Sequence, residues 1–352
     1  MIYPNSQIWT PETIRDIHSR ADGGYSLSGF RTFREIPRFD DLVFLAAGLS
    51  RFPLEGYKEK CRTETTLGPR SPNPLSMEVP IYVASSSSFS RGLRGSLALG
   101  SSLANTALSV GGGLLPEEKR VRNRLIYEVS PEERLSRPTA AIRAAAIQID
   151  IDQMDVDSLR ELVDDVRKAQ DQKTPILVRI GAGRVRDEVR AAVKAKADGV
   201  VLLGLETKVL SAPSQLRLYC RLPMVAAIPL AREALRESKS LGEVSLIAGN
   251  GIVSGADAAK AIALGADAVA IQETALVALG ASAVSARDAG QSSLGAQKGG
   301  ERIANYINSM IMEVALLARS LGKGDVHSLE FEDLAALTLE ASLISGVNLA
   351  GE

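Results

Sequence analysis

The sequence predicts an α/β chain built on one (β/α)8 TIM barrel, and three observations predict it. From Pro80 onward, eight short apolar or β-branched runs alternate with seven segments of helical period. Runs such as PILVRIG (Pro175 to Gly181) and DGVVLLG (Asp198 to Gly204) are nearly continuous in apolar residues, which suits parallel strands buried on both faces rather than an antiparallel sandwich. A barrel takes about 250 residues before insertions, so 352 residues accommodate one barrel with extensions. The expected division is an N-terminal lead-in over 1–79, the barrel over 80–290 and C-terminal capping helices over 291–352.

The lead-in shows no strand–helix alternation. It holds Pro37, Pro53, Pro69, Pro72 and Pro74 among short helical pieces such as Asp40 to Leu49. The expected barrel strands are Ile81 to Ala84, Thr106 to Val110, Ala146 to Ile151, Pro175 to Ile180, Gly199 to Leu203, Pro223 to Ile228, Ser245 to Ala248 and Ala268 to Ile271. The helices between them are expected at Arg94 to Leu103, Pro116 to Tyr127, Ser158 to Gln170, Val185 to Lys196, Ser214 to Arg221, Leu230 to Leu241 and Gly255 to Leu264. In this order Arg179 falls on the fourth strand. Beyond the eighth, one helix is expected over Glu301 to Leu321 and a second from about Glu330 to Ile344. Ser328 is read as the N-cap of that second helix, with Glu330, Glu332 and Asp333 placing negative charge in its first turn.

Charge and cysteine content narrow the function classes. Forty-one basic residues face forty-two acidic ones with no run of five like charges, so neither nucleic acid nor a membrane is an expected partner. Cys61 and Cys220 stand far apart without a C-x-x-C spacing, which argues against a disulfide framework, a structural zinc site or an iron–sulfur cluster held by this chain. No secretory leader is read over the first fifteen residues and no long uninterrupted apolar span occurs, so a cytoplasmic location is expected.

Chemistry in such a barrel belongs on the loops after the strands, with a phosphate site after the seventh and eighth. The seventh run leads through Gly249, Asn250 and Gly251 to a helix starting near Gly255, a place where backbone amides can meet an anion. The same glycines also serve an ordinary tight turn. After the eighth come Gln272, Glu273 and Thr274, and Glu273 has the wrong charge for a phosphate. At about 5 Å and an effective dielectric near 20 the repulsion is roughly 3 kcal/mol per unit charge. That cost disappears if Glu273 faces solvent or pairs with Lys298 or Arg302.

Arg179 is a cation within an apolar run, and two readings stand for it: facing a flavin edge or substrate carboxylate, or pairing with Asp150 or Asp152. The triplet Gly111, Gly112, Gly113 before Leu114, Leu115 and Pro116 permits close approach of a ligand or of a neighbouring loop. His18 and His327 lie outside the barrel runs, and structural roles are expected for them. Ser85 to Ser88 offer hydroxyls but lack an adjacent histidine or lysine, so no nucleophile and no other catalytic residue is assigned.

Four stretches carry a family resemblance: FDDLVFLAAGLSRFPLEGYKEKC (Phe39 to Cys61), GGGLLPEE (Gly111 to Glu118), GNGIVSGADAAKAIALGADAVAIQETALVALG (Gly249 to Gly280), and ERIANYINSMIMEVALLARSLGKGDVHSLEFEDLAALTLEA (Glu301 to Ala341). They resemble the FMN-binding synthase domain of the glutamate synthase family, most of all the archaeal-type form and the large subunit of methylamine–glutamate N-methyltransferase. The resemblance implies a barrel carrying FMN, an iron–sulfur cluster, and reductive amination of 2-oxoglutarate with partner subunits. It places Arg179, Gly249, Asn250, Gly251 and Gln272 at the flavin ring and phosphate.

The departures fall on those same parts. The glycines of the family's first loop are replaced by Ser85 to Phe89, and an acidic Gly-Glu-Gly-Gly loop by Val110 to Gly113. The long insert expected before Ser158 is missing. Arg179 replaces a lysine, a Gly-Gly-Thr-Gly loop becomes Leu205 to Lys208, Gly-Thr becomes Gln272 and Glu273, and the cysteine cluster is replaced by Ala281 to Gly290. Two functions are carried forward: an oxidoreductase of glutamate synthase or N-methylglutamate synthase type, and a catalytically degenerate paralogue acting as a scaffold. Other glutamate-synthase-type subunits or a second copy are the expected partners.

Overall fold

A computed structural model describes residues 11–23, 36–46, 52–54, 59–129, 143–151, 154–205, 221–280 and 295–351. The expectations for Asp152, Glu206 to Lys208, Ser214 to Cys220 and Ala281 to Gly290 fall outside them. In chain order the elements are α1 (Pro11–Gly23), β1 (Leu42–Phe44), β2 (Thr65–Leu67), β3 (Leu75–Met77), β4 (Ile81–Ala84), α2 (Arg91–Leu103), β5 (Leu108–Gly111), α3 (Pro116–Lys119), β6 (Leu125–Val129) and β7 (Ala146–Asp150). Then follow α4 (Val156–Ala169), β8 (Ile176–Gly181), α5 (Val185–Lys194), β9 (Gly199–Leu203), α6 (Met224–Glu237), β10 (Ser245–Ala248), α7 (Gly255–Leu264), β11 (Ala268–Ile271), α8 (Glu273–Ala278), α9 (Ala296–Ser320), β12 (Leu334–Ala336) and α10 (Leu339–Ser345).

Strands β4 to β11 pair in parallel with their sequence neighbours, and β11 pairs with β4 to close the barrel. The barrel has eight strands, as expected in number, but two assignments change. Pro116 to Tyr127 is not one helix: α3 has four residues, and a 3-10 turn at Arg122–Arg124 leads into β6. Conversely, the expected strand Pro223 to Ile228 is the start of α6, capped by Pro223. Short apolar runs bounded by turn residues cannot be told from buried helix by periodicity alone. The two errors cancel in number but shift the order, so Arg179 lies on the fifth barrel strand.

Strand alternation divides the core in two. Inward side chains Tyr82, Ala107, Ile126, Ala146, Leu177, Val201, Ile247 and Ala268 fill the barrel, joined from below by Leu67, Leu75 and Met77 of the β2–β3 hairpin. Outward side chains such as Val83, Leu108, Val178 and Val200 pack under the helices. The hairpin is fixed to the barrel floor by the Gly68 amide, which donates to Ser245 Oγ at 2.9 Å, and by Asp198. Asp198 accepts from Arg70 Nε (3.4 Å), Arg167 Nη2 (2.8 Å) and the Ile176 amide (2.9 Å).

Helix α8 is short, and α9 packs on the outer ring between α2 and α7. Small residues permit the crossing: a Cβ on Gly100 would lie 2.5 Å from Ile303 Cβ, and one on Gly300 would lie 2.6 Å from Leu99 Cγ. The lead-in and tail meet in an antiparallel pair, β1 with β12. Asp40 to Leu49 is thus not helical in its described part, being a 3-10 turn at Phe39–Asp41 followed by β1. The second tail helix is also corrected. Two 3-10 turns and β12 precede α10, whose N-cap is Thr338, not Ser328; Thr338 Oγ1 accepts from the Ala341 amide at 3.1 Å. Pairing with β1 buries Leu334 to Ala336 and overrides their helical preference. No helix among the described residues is long and apolar enough to cross a membrane.

Candidate functional site

The alternation that points Ala107, Ile126, Ala146 and Leu177 into the barrel also points in Ser109, Glu128, Gln148, Asp150 and Arg179 at the carboxyl ends of β5 to β8. They form one polar cluster at the mouth. Arg179 Nη1 donates to Glu128 Oε1 at 3.3 Å, and Nη2 pairs with Asp150 Oδ2. Ser109 Oγ donates to the same Glu128 oxygen at 2.7 Å. Burial raises the Glu128 pKa; Arg179 opposes that rise, Asp150 adds to it, and Ser109 and Gln148 act against it. Tyr82, wholly buried beneath them, is raised as well, by burial first and Glu128 second.

Of the two readings of Arg179, the pairing with Asp150 is present. Glu128, its second partner, was hidden by the helical reading of Pro116 to Tyr127. The available signal was the alternation in LIYEV, where a charged residue takes an inward position.

Two glycines of the triplet come close to the chain itself. A Cβ on Gly111 would lie 3.2 Å from the Glu128 carbonyl oxygen, and Gly112, at φ +74, faces Ser87. Tyr127 Oη donates to the Gly112 carbonyl at 3.1 Å. Below this loop Arg94 Nε and Nη2 each reach a Glu118 oxygen at 2.7 Å, and Glu118 Oε2 also accepts from the Leu115 amide at 2.7 Å. In the serine tract, Ser86 and Ser88 bond each other at 2.8 Å, while buried Ser85 Oγ has no hydrogen-bond partner among the described residues. His327 Nε2 lies 2.9 Å from Thr65 Oγ1, far from the mouth, and His18 is on α1.

After β10, Gly249 is required by packing, since a Cβ would lie 2.6 Å from the Leu202 carbonyl oxygen. Asn250 faces the chain: its Oδ1 accepts from the Gly204 amide at 2.7 Å and its Nδ2 donates to the Gly204 carbonyl at 3.0 Å. Gly251 takes φ +79. The amino end of α7 is engaged by carboxylates of the chain itself. Asp257 Oδ2 accepts from the Val253 and Ser254 amides at 3.0 Å each, and Glu313 Oε2 of α9 accepts from Gly255 at 2.7 Å. After β11, half-buried Gln272 precedes α8, and exposed Glu273 is the first residue of that helix. Thr274 Oγ1 donates to the Ile252 carbonyl at 2.7 Å, joining this loop to the one after β10. Gly249 to Gly251 and Gln272 thus follow adjacent strands, while Arg179 stands on β8, two strands from β10 in the barrel order. Arg302 donates to the Ala278 carbonyl at 2.9 Å. No group of three or more metal-ligating residues converges among the described residues.

The family model for the conserved region in glutamate synthase matches residues 90–324. The chain belongs to the glutamate synthase family. A glutamate synthase large subunit-like protein of Rhizobium meliloti (strain 1021) is 33% identical, over 96% of this chain and 93% of its own length. An archaeal-type glutamate synthase (NADPH) of Thermotoga neapolitana is 26% identical over 76% of this chain, which spans 66% of that relative. Among solved structures, a flavocytochrome b2 variant superposes with TM-score 0.61 at 15% identity, over 89% of this chain and 80% of that one. A mandelate oxidase variant with an FMN adduct gives TM-score 0.58 at 18% identity, over 83% and 87%. At such identities these two share the fold with this glutamate synthase family member.

Proposed function

We propose that this chain is a catalytically degenerate member of the glutamate synthase family, a cytoplasmic scaffold subunit that associates with other glutamate-synthase-type subunits or with itself. The observation that carries this reading is the double pairing of Arg179 with Glu128 and Asp150. FMN is the cofactor that the family implies, and the residues at the mouth do not fit it. A flavin ring gathers negative charge along one edge on reduction and needs a cation free to meet it, and Arg179 already has two carboxylates. The phosphate fares no better. The amino end of α7 has its own carboxylates, Asn250 holds Gly204, and Glu273 begins α8. With two cysteines, the chain does not supply the thiolates of a family-type iron–sulfur cluster.

A second reading, an oxidoreductase of glutamate synthase or N-methylglutamate synthase type, is favoured by the Gly249 to Gly251 turn beside Gln272. Purification followed by an absorbance spectrum with added FMN separates the two. A colourless protein whose melting temperature FMN leaves unchanged supports the scaffold, because a ligand at a hundred times its Kd would add about 2.7 kcal/mol of stability. A stoichiometric yellow species would establish the flavoprotein and end the scaffold reading.

A further inference from the structure

The carboxylates around Arg179 are placed to do more than neutralise it. Glu128 Oε1 is held by Ser109 Oγ at 2.7 Å while it accepts from Arg179, so it cannot swing aside without breaking two hydrogen bonds. Asp150 sits opposite Arg179 in the strand register and takes the other arm of the guanidinium. The side chains of Glu128, Arg179 and Asp150 are 13%, 25% and 28% exposed, so the pair nearest solvent is still largely out of water. An anion reaching Arg179 finds two carboxylates already on its guanidinium.

We infer that Glu128 and Asp150 are specificity-determining residues that exclude anionic ligands from the barrel mouth by acting as built-in counter-ions for Arg179. The inference rests on the degenerate reading and deepens it. Loss of flavin chemistry is then carried by two named side chains on β6 and β7 as well as by altered loops. Removing their charge while keeping their shape returns the guanidinium to incoming ligands.

The experiment is a flavin titration, followed by fluorescence quenching, of wild type and of the E128Q/D150N variant, each with FMN and with riboflavin. Riboflavin lacks the phosphate and, oxidised, carries no charge, so it is the neutral control for the anion. The variant gains affinity for FMN by at least about tenfold over wild type, the scale of losing about 1.4 kcal/mol of repulsion, while uncharged riboflavin gains little. Adding Arg179→Met to the variant abolishes the gain, which separates the freed cation from a general loosening of the barrel. A variant that melts as wild type does but gains nothing overturns the inference, as does a gain that survives loss of Arg179. If the double variant does not fold, Asp150→Asn alone, at the more exposed position, shows the same sign of change or the inference fails. Stoichiometric FMN binding by wild type overturns the parent reading; a null result in the folded variant beside a non-binding wild type overturns only this one.

Discussion

Replacing Arg179 with methionine tests the mouth cluster through stability alone. At the 3.3 Å separation of Arg179 from Glu128, a unit charge pair is worth about 5 kcal/mol at an effective dielectric near 20. Partial solvent access at Arg179 and Asp150 lowers this, and breaking a buried pair from one side costs about 3 to 5 kcal/mol. A loss of about 3 kcal/mol near neutral pH is therefore expected for Arg179→Met. Its pH dependence has a definite sign. The Glu128 pKa is raised in the folded state by burial, so the folded chain holds that proton more tightly than the unfolded chain. The associated stability is present below the unfolded carboxyl value and is lost as pH rises through the folded one. Without Arg179 the folded value rises further and the penalty at alkaline pH grows. Urea unfolding of both proteins at about pH 5 and about pH 8 should show the deficit shrinking on the acid side. A loss below about 1 kcal/mol at the higher pH, or one equal at both, refutes an ionised Glu128 held by Arg179.

Three other outcomes follow from the geometry. Glu118→Ala leaves Arg94 buried without its carboxylate and should cost about 3 to 5 kcal/mol in urea unfolding, whereas the paired apolar replacement R94M/E118L should cost much less; equal losses would show that the ion pair has no role of its own. Gly255→Ala drives a methyl into the Met310 carbonyl oxygen and to 2.5 Å from Glu313 Cβ, so α9 must shift and the melting temperature should fall by several degrees, while Gly113→Ala, with open space around it, should leave it nearly unchanged. Asn250→Ala removes both hydrogen bonds that hold Gly204 and should lower stability by about 2 kcal/mol, with faster amide hydrogen exchange at Gly204 as the local readout.

The barrel was legible because its strands are apolar on both faces, and that pattern survives in a single sequence. The pairing of Asp150 with Arg179 was legible as one of two readings, since the two stand near the ends of consecutive apolar runs. Glu128 was not, because Pro116 to Tyr127 reads as one amphipathic helix that stops just short of it, until the barrel demands a strand between β5 and β7. The capping of α7 was equally invisible. Ser254 and Asp257 are local, but Glu313 arrives from 58 residues downstream, and no spacing rule connects it to Gly255. Strand β12 was lost for the same reason: its partner, β1, is nearly the whole chain away.

The placement of α9 bears on how the chain assembles. The strands that meet at the seam of the barrel, β4 and β11, are separated by almost the whole barrel sequence, and the helix that lies over their flanking helices comes later still. On a ribosome, the apolar flanks of α2 and α7 stay uncovered until Ala296–Ser320 has been made. Contacts of such sequence separation close slowly. The glycines at 100, 255, 299 and 300 let this late-made helix come close to α2 and α7, so a bulkier side chain at any of them would hinder the covering of those flanks after the strands are in place.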